Sequence, residues 1–139
     1  MSSANRTLNP LVSFLYRISG GRVPGRMGNA PIMLLTTTGF KSGKQRTNPV
    51  LYMINGKDLV TVASAGGADR NPSWFVNLMR NPEAVVTIKR KMRKVRARKA
   101  SPEERDRLWP LLTEMFPGYA GYAKKTKREI PVVLLTPSK

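Results

Sequence analysis

The stretch Ile32-Met33-Leu34-Leu35-Thr36-Thr37-Thr38-Gly39-Phe40-Lys41-Ser42-Gly43-Lys44-Gln45-Arg46-Thr47-Asn48-Pro49 decides how this chain is read. The run Ile32 to Thr38 has the composition of a strand, a glycine-bearing turn follows, and the extended run Arg46 to Ile54 leaves it. Strand, turn and strand make a hairpin, so the chain opens as a β protein. Gly39 and Gly43 free the backbone to turn and to bring its N–H groups close to a ligand. Lys41, Lys44 and Arg46 put three cations within six residues, with no acid among them. Such a turn suits phosphate or carboxylate groups, and the same residues also fit a solvated basic turn. It is not a Walker A loop, because three residues rather than four separate the glycines and no helix follows.

The β signal continues outward from this hairpin. Asn55-Gly56 predicts a turn into a strand over Leu59 to Ser64, and Ala65-Gly66-Gly67-Ala68 leaves the end of that strand open to a flat ligand. Asn71-Pro72 predicts the start of a helix carrying Trp74, Phe75 and Leu78 and ending at Asn81-Pro82. A second hairpin is expected from Ala84 to Lys89 and Met92 to Ala100. Eight of the eleven residues from Lys89 to Lys99 are basic. That charge fits an exposed strand face blunted against edge pairing, or a track for phosphates. No Phe, Tyr or Trp falls between Val76 and Leu108, which argues against a base-stacking platform.

Ser101-Pro102-Glu103-Glu104 is a capping box that opens a helix to about Met115, so those acids are structural first. Phe116, Tyr119 and Tyr122 form a short aromatic segment, and Ile130 to Thr136 reads as a closing strand buried on both faces. At the other end, Asn9-Pro10 caps an amphipathic helix with Leu11, Phe14, Leu15 and Ile18 on one face, stopped by Gly20-Gly21. It packs on the domain or covers a pocket mouth, or else residues 9–19 make a peripheral membrane contact aided by Arg6, Arg17, Arg22 and Arg26. The division expected is 1–29 for this helix and a linker, and 30–139 for the barrel domain.

Composition narrows the chemistry. A chain of 139 residues supports one domain with a proper core. Its 25 basic and 8 acidic residues give a net charge of +17, a field that attracts anionic ligands, polyanions and anionic surfaces. There is no cysteine and no histidine, which removes disulfides, thiol nucleophiles, Ser-His-Asp triads and most zinc sites. An enzyme with this inventory borrows its chemistry from a cofactor. No apolar run approaches the roughly 20 residues that span a bilayer, and no secretory signal is evident, so a cytoplasmic protein is expected. Six strands joined mostly by hairpins predict a small antiparallel barrel, mainly β, with flanking helices.

The run T-T-G-x-K-S-G-x-x-R-x-N-P at Thr37 to Pro49 is followed by V-A-S-x-G-G-A-x-x-N-P-x-W-F at Val62 to Phe75. Asn81-Pro82, the W-P-x-L-x-x-M-x-P-x-Y segment at Trp109 to Tyr119 and the I-P-V-V strand at Ile130 to Val133 complete the series. Together these resemble the deazaflavin-dependent nitroreductase family, whose members bind coenzyme F420. The resemblance implies a split β-barrel of the FMN-binding type. It also implies hydride transfer from C5 of the reduced deazaflavin to an electron-poor acceptor: a quinone, a conjugated enone or lactone, or a nitroaromatic.

By matching positions, Lys41 and Arg46 are implied to pair with the phosphate and carboxylates of the cofactor tail, with Lys44 a looser contributor. Asn48 and Pro49 shape the wall. Val62, Ala63 and Ser64, with the Gly66-Gly67 backbone, lie along the ring, and Asn71 and Trp74 border it. Tyr119 and Tyr122 orient the substrate or supply a proton, with Ser64 a further donor; packing alone would also account for the tyrosines. Three positions depart from the pattern: Phe40 replaces a base common after the glycine, Ala65 stands where Lys can occur, and Phe116 where Tyr can occur. The last two leave the acceptor open. The competing readings are a basic nucleic-acid-binding barrel, disfavoured because it leaves Ser64, the paired glycines and Trp74 without a role, and a non-catalytic carrier of F420, flavin or lipid. The sequence is compatible with a monomer or a dimer.

Overall fold

A computed structural model describes residues 26–27 and 30–138. The helix expected over residues 9–19, and most of the linker after it, lie outside the described residues. The strands are β1 (Arg26–Met27), β2 (Ala30–Thr38), β3 (Gln45–Leu51), β4 (Met53–Asn55), β5 (Asp58–Val62), β6 (Glu83–Ile88), β7 (Lys91–Lys99) and β8 (Val132–Pro137). The α-helices are α1 (Ser73–Arg80), α2 (Pro102–Met115) and α3 (Gly118–Lys125), with a single helical turn over Ala65–Gly67 after β5. None of the described helices is long and apolar enough to cross a membrane.

Every strand pairing is antiparallel. Following the pairings, the sheet runs β3, β2, β6, β7, β8, β5, β4. Its two ends, β3 and β4, are consecutive in the chain with only Tyr52 between them. A strip whose ends are covalently joined has to curl, and the result is the expected split barrel. At the corner the Tyr52 N–H donates to the Pro31 carbonyl at 3.0 Å, and the Thr61 hydroxyl donates to the Leu51 carbonyl at 2.8 Å.

Among the described residues there are eight strands, where six were expected. The run Arg46 to Ile54 is not one strand: its first part pairs with β2 and its last part with β5, so the ladder breaks at Tyr52. Arg26–Met27, read from sequence as linker, pairs back on Ala30 and Pro31. The Asn55-Gly56 turn, the second hairpin and the helix to Met115 match expectation.

The closing strand organises the core. Val133 and Leu135 on β8 point into a cluster with Met33, Leu35, Val86, Val95 and the α1 residues Trp74, Phe75 and Leu78. Val132 and Leu134, one step out of phase, face Leu108 and Leu112 of α2 and Tyr119 of α3. The strand is buried on both faces, as its unbroken apolar run implied. Burying each such side chain contributes roughly 1.5 to 3 kcal/mol.

In α2 the capping box is complete: Glu104 N–H donates to Ser101 Oγ at 3.2 Å, and Ser101 N–H donates to Glu104 Oε1 at 3.0 Å. The aromatic segment after it turns out to be helical, α3, although Gly118 and Gly121 are weak helix formers. Tertiary packing of Tyr119 overrides that propensity. On the basic hairpin Arg96 pairs with Glu83, and Arg98 grips Glu104 at 2.6 and 2.8 Å. Two cations of the supposed phosphate track are therefore already neutralised.

Candidate active site

The turn between β2 and β3 is held largely by its own backbone. Gly39 N–H donates to Lys44 O at 2.7 Å, Gly43 N–H to Gly39 O at 2.8 Å, and Lys44 N–H to Ser42 Oγ at 3.1 Å. Gly43 has φ +71, which explains the residue chosen there. These bonds correct one expectation: the glycine N–H groups face into the turn and are not presented to a ligand. What the turn offers outward is side-chain charge, with Lys41, Lys44 and Arg46 all exposed. Its remaining tether comes from α1, where buried Asn77 donates to Thr37 Oγ1 and accepts from Phe40 N–H, both at 3.0 Å.

Beyond the turn, β3 carries the chain to a cleft of about 370 Å³. Alternation along the strand puts Arg46, Asn48 and Val50 on one face, successive members about 7 Å apart. The cleft is lined by Asn48, Pro49, Val50 and Leu51 from β3, Val62 from β5, Ser64, Ala65 and Gly66 from the turn after it, Pro72 and Trp74 at the start of α1, and Phe116, Tyr119 and Tyr122. Eight of the expected site residues are thus brought together: Asn48, Pro49, Val62, Ser64, Gly66, Trp74, Tyr119 and Tyr122. Ala63 and Gly67 lie buried behind the lining. Asn71 is behind it too, its side-chain oxygen accepting from Arg128 at 2.9 Å.

The aromatic wall is a connected set of rings. Phe116 and Tyr119 meet edge to face at 5.0 Å, and Tyr122 lies 6.2 Å from Phe116 and 6.5 Å from Tyr119. Burial, and secondarily the neighbouring Tyr122, push the Tyr119 hydroxyl well above the usual phenol range. Tyr119 therefore stays protonated through neutral pH.

The opposite rim is a strained turn. Ala65, Gly66 and Gly67 have φ of 46, 64 and 83° in succession, and Ala65 is the one residue of the three whose Cβ resists that conformation. A Cβ on Gly67 would fall 2.9 Å from Tyr122 O and 3.0 Å from its Cα, so α3 packs directly on this glycine.

Sequence reasoning missed the residue that holds the rim. Arg128 donates from Nε to Ala68 O at 2.8 Å, from Nη2 to Ser64 O at 2.9 Å, and from Nη1 to Asn71 Oδ1 at 2.9 Å, with longer bonds to Ala63 O at 3.3 and 3.4 Å. Thr126 adds a hydroxyl to Asp69 at 3.0 Å. One planar guanidinium gathers the acceptors of the whole loop. Its partial burial lowers the Arg128 pKa, which Asp69 opposes. No motif or spacing marks Arg128, because its partners lie some 60 positions earlier in the chain.

A cleft with aromatic walls, continued by one strand to a cationic turn, fits a ligand that is flat at one end and anionic at the other. Comparison with known proteins agrees. Residues 11–137 match the family model described as F420H(2)-dependent quinone reductase. An F420H(2)-dependent quinone reductase of Mycobacterium tuberculosis is 38% identical over 126 residues, covering 88% of this chain and 85% of that protein. Among solved structures, an F420-H2 dependent reductase, FDR-A, superposes with a TM-score of 0.69 at 42% identity, covering 76% of this chain and 93% of that one. A structure described as a domain-swapped dimer gives 0.70 at 35% identity over 88% and 98% of the two chains. The haem storage protein HutZ from Vibrio cholerae, at 12% identity and a TM-score of 0.59, shares the fold alone. The chain belongs to the F420H(2)-dependent quinone reductase family, and is a reductase whose cofactor is reduced coenzyme F420.

Proposed function

We propose that the cleft holds the deazaflavin ring of F420 against Val62, Ser64 and Trp74, with the anionic tail running along β3 to Lys41, Lys44 and Arg46. The observation that carries this reading is that one strand face links the ring-sized cleft to a cluster of cations free of acids. When bound, the reduced cofactor supplies two electrons as a hydride. The chain's own part is binding, orientation and exclusion of water.

The acceptor is proposed to lie against the wall of Phe116, Tyr119 and Tyr122. A quinone carbonyl fits this role best, since protonated Tyr119 donates to an oxygen that gains negative charge during reduction. Tyr122 and Ser64 are the further candidate donors. Conjugated enones and lactones develop charge on a comparable oxygen. Nitroaromatics place it on a wider group, and Phe116 offers that group no hydroxyl.

The test mixes the reduced F420 complex with menadione, a coumarin-type enone and a nitroaromatic, following return of the oxidised chromophore. Oxidation should be fastest with the quinone and slowest with the nitroaromatic. The reverse order would contradict the assignment of the aromatic wall.

A further inference from the structure

The cationic turn has a partner that its own sequence does not contain. Phe40 stands within the cationic turn and is 43% exposed. Two cations flank its ring: Lys41 Nζ lies 5.7 Å from the centroid and Arg80 Cζ 5.8 Å. Arg80 comes from the last turn of α1, far from the turn in sequence. A cation there is favourable toward the helix dipole in itself. What directs it to the turn is the tether one helical turn earlier, where Asn77 grips Phe40 N–H and Thr37 Oγ1 and so fixes the ring beside the helix. No carboxylate lies within ion-pairing distance of Lys41, Lys44, Arg46 or Arg80 among the described residues.

We propose that Arg80 is a fourth cation of the tail site, supplied by α1 to the turn that carries Lys41, Lys44 and Arg46. Phe40 serves as the platform on which Lys41 and Arg80 are held, and the site gains a donor able to grip a carboxylate or phosphate with two N–H groups. The helix begins beside the cleft at Trp74 and reaches Arg80 six residues later, about 9 Å along its axis. A tail that follows β3 to the turn therefore meets Arg80 beside Phe40. The inference rests on the tail assignment above and extends it: Arg80 contributes to affinity for the anionic tail, and none to affinity for the ring.

The experiment titrates wild type, R80A, R80E and R46A with F420 and with the same deazaflavin lacking phosphate and glutamates. R80A should weaken F420 binding about five- to tenfold, and R80E more, as loss of a solvent-exposed charged hydrogen bond implies. Binding of the tail-less deazaflavin should not change, and thermal stability should hold because Arg80 is exposed. Wild-type affinity for F420 in R80A, beside a weakened R46A, would overturn the proposal and leave the tail assignment standing. An equal loss for the tail-less compound would also overturn it. If neither R46A nor R80A alters F420 affinity, the tail assignment itself fails.

Discussion

Two glycine-bearing loops frame the site, and they are held in opposite ways. The turn Gly39 to Lys44 closes on its own backbone and needs one outside side chain, Asn77. The loop Ser64 to Asn71 makes little regular structure of its own, strings together three residues of positive φ, and is fastened by Arg128, Thr126 and the backbone of α3. The first loop presents charges, which act over several ångströms and tolerate movement. In the proposed site the second loop would align a flat ring against the aromatic wall, where an error of an ångström matters. Electrostatic attraction can be built locally, whereas ring alignment here depends on the tertiary fold.

That contrast predicts a hierarchy of effects. Gly67→Ala should be the most damaging, since it combines φ +83 with a Cβ 2.9 Å from Tyr122 O. The strain and overpacking together cost about 3 kcal/mol or more, and α3 must shift away from the rim. Thermal unfolding and steady-state turnover should both fall, while the matching change at Gly66, which has open space around it, leaves stability less affected.

Arg128→Ala should come next, costing about 2 to 3 kcal/mol because several carbonyls lose a charged donor. Amide exchange should rise across residues 63–71. Arg128→Lys should recover little of it, because an ammonium cannot span acceptors that a planar guanidinium reaches at once. Full recovery in the lysine variant would show that charge alone, and not the fork, holds the loop.

Changes in the first loop should be milder and selective. Lys41→Ala or Arg46→Ala should weaken F420 binding by about 1 to 3 kcal/mol, leaving the melting temperature and the affinity for a tail-less deazaflavin in place. Raising the salt concentration should narrow the gap between variant and wild type. If both variants bind F420 as tightly as wild type, the turn is merely a solvated basic hairpin.

The smallest effect lies outside both loops and calibrates the scale. The Arg98 guanidinium first, and then the Ser101 N–H, hold the Glu104 carboxyl down from 4.5 to about 2. A carboxyl depressed in the folded state stabilises the fold above its unfolded pKa, and that contribution is lost as pH falls from 4.5 to about 2. The pair is partly exposed, so screening limits it to a few tenths of a kcal/mol. Glu104→Gln should flatten this acid limb of stability without touching cofactor affinity.

What was legible in the sequence follows the same division. The capping box, the Asn55-Gly56 turn and the doubly buried strand at Val132 to Leu135 are local patterns, and each appears where its residues imply. The cations of the turn and six of the cleft residues were reachable through two linked motifs, and Tyr119 and Tyr122 through the short aromatic segment after Trp109. The break at Tyr52 was not, because nothing within Arg46 to Ile54 says that the chain changes partner strand midway. The helix α3 was hidden by Gly118 and Gly121, and Arg128 by the distance to its acceptors. The Asn77 tether was missed for a related reason: an asparagine on an amphipathic helix looks unremarkable until Thr37 and Phe40 are folded against it.

The most direct test is a parallel titration of the purified protein with F420, its tail-less deazaflavin and FMN at moderate salt. The arrangement described here predicts saturable binding that is tightest for F420, weaker for the tail-less ring, and weak for FMN, whose single phosphate cannot engage the whole cationic turn. Equal affinity for F420 and the tail-less ring, or preference for FMN, would contradict the claim that cleft and turn act as one site.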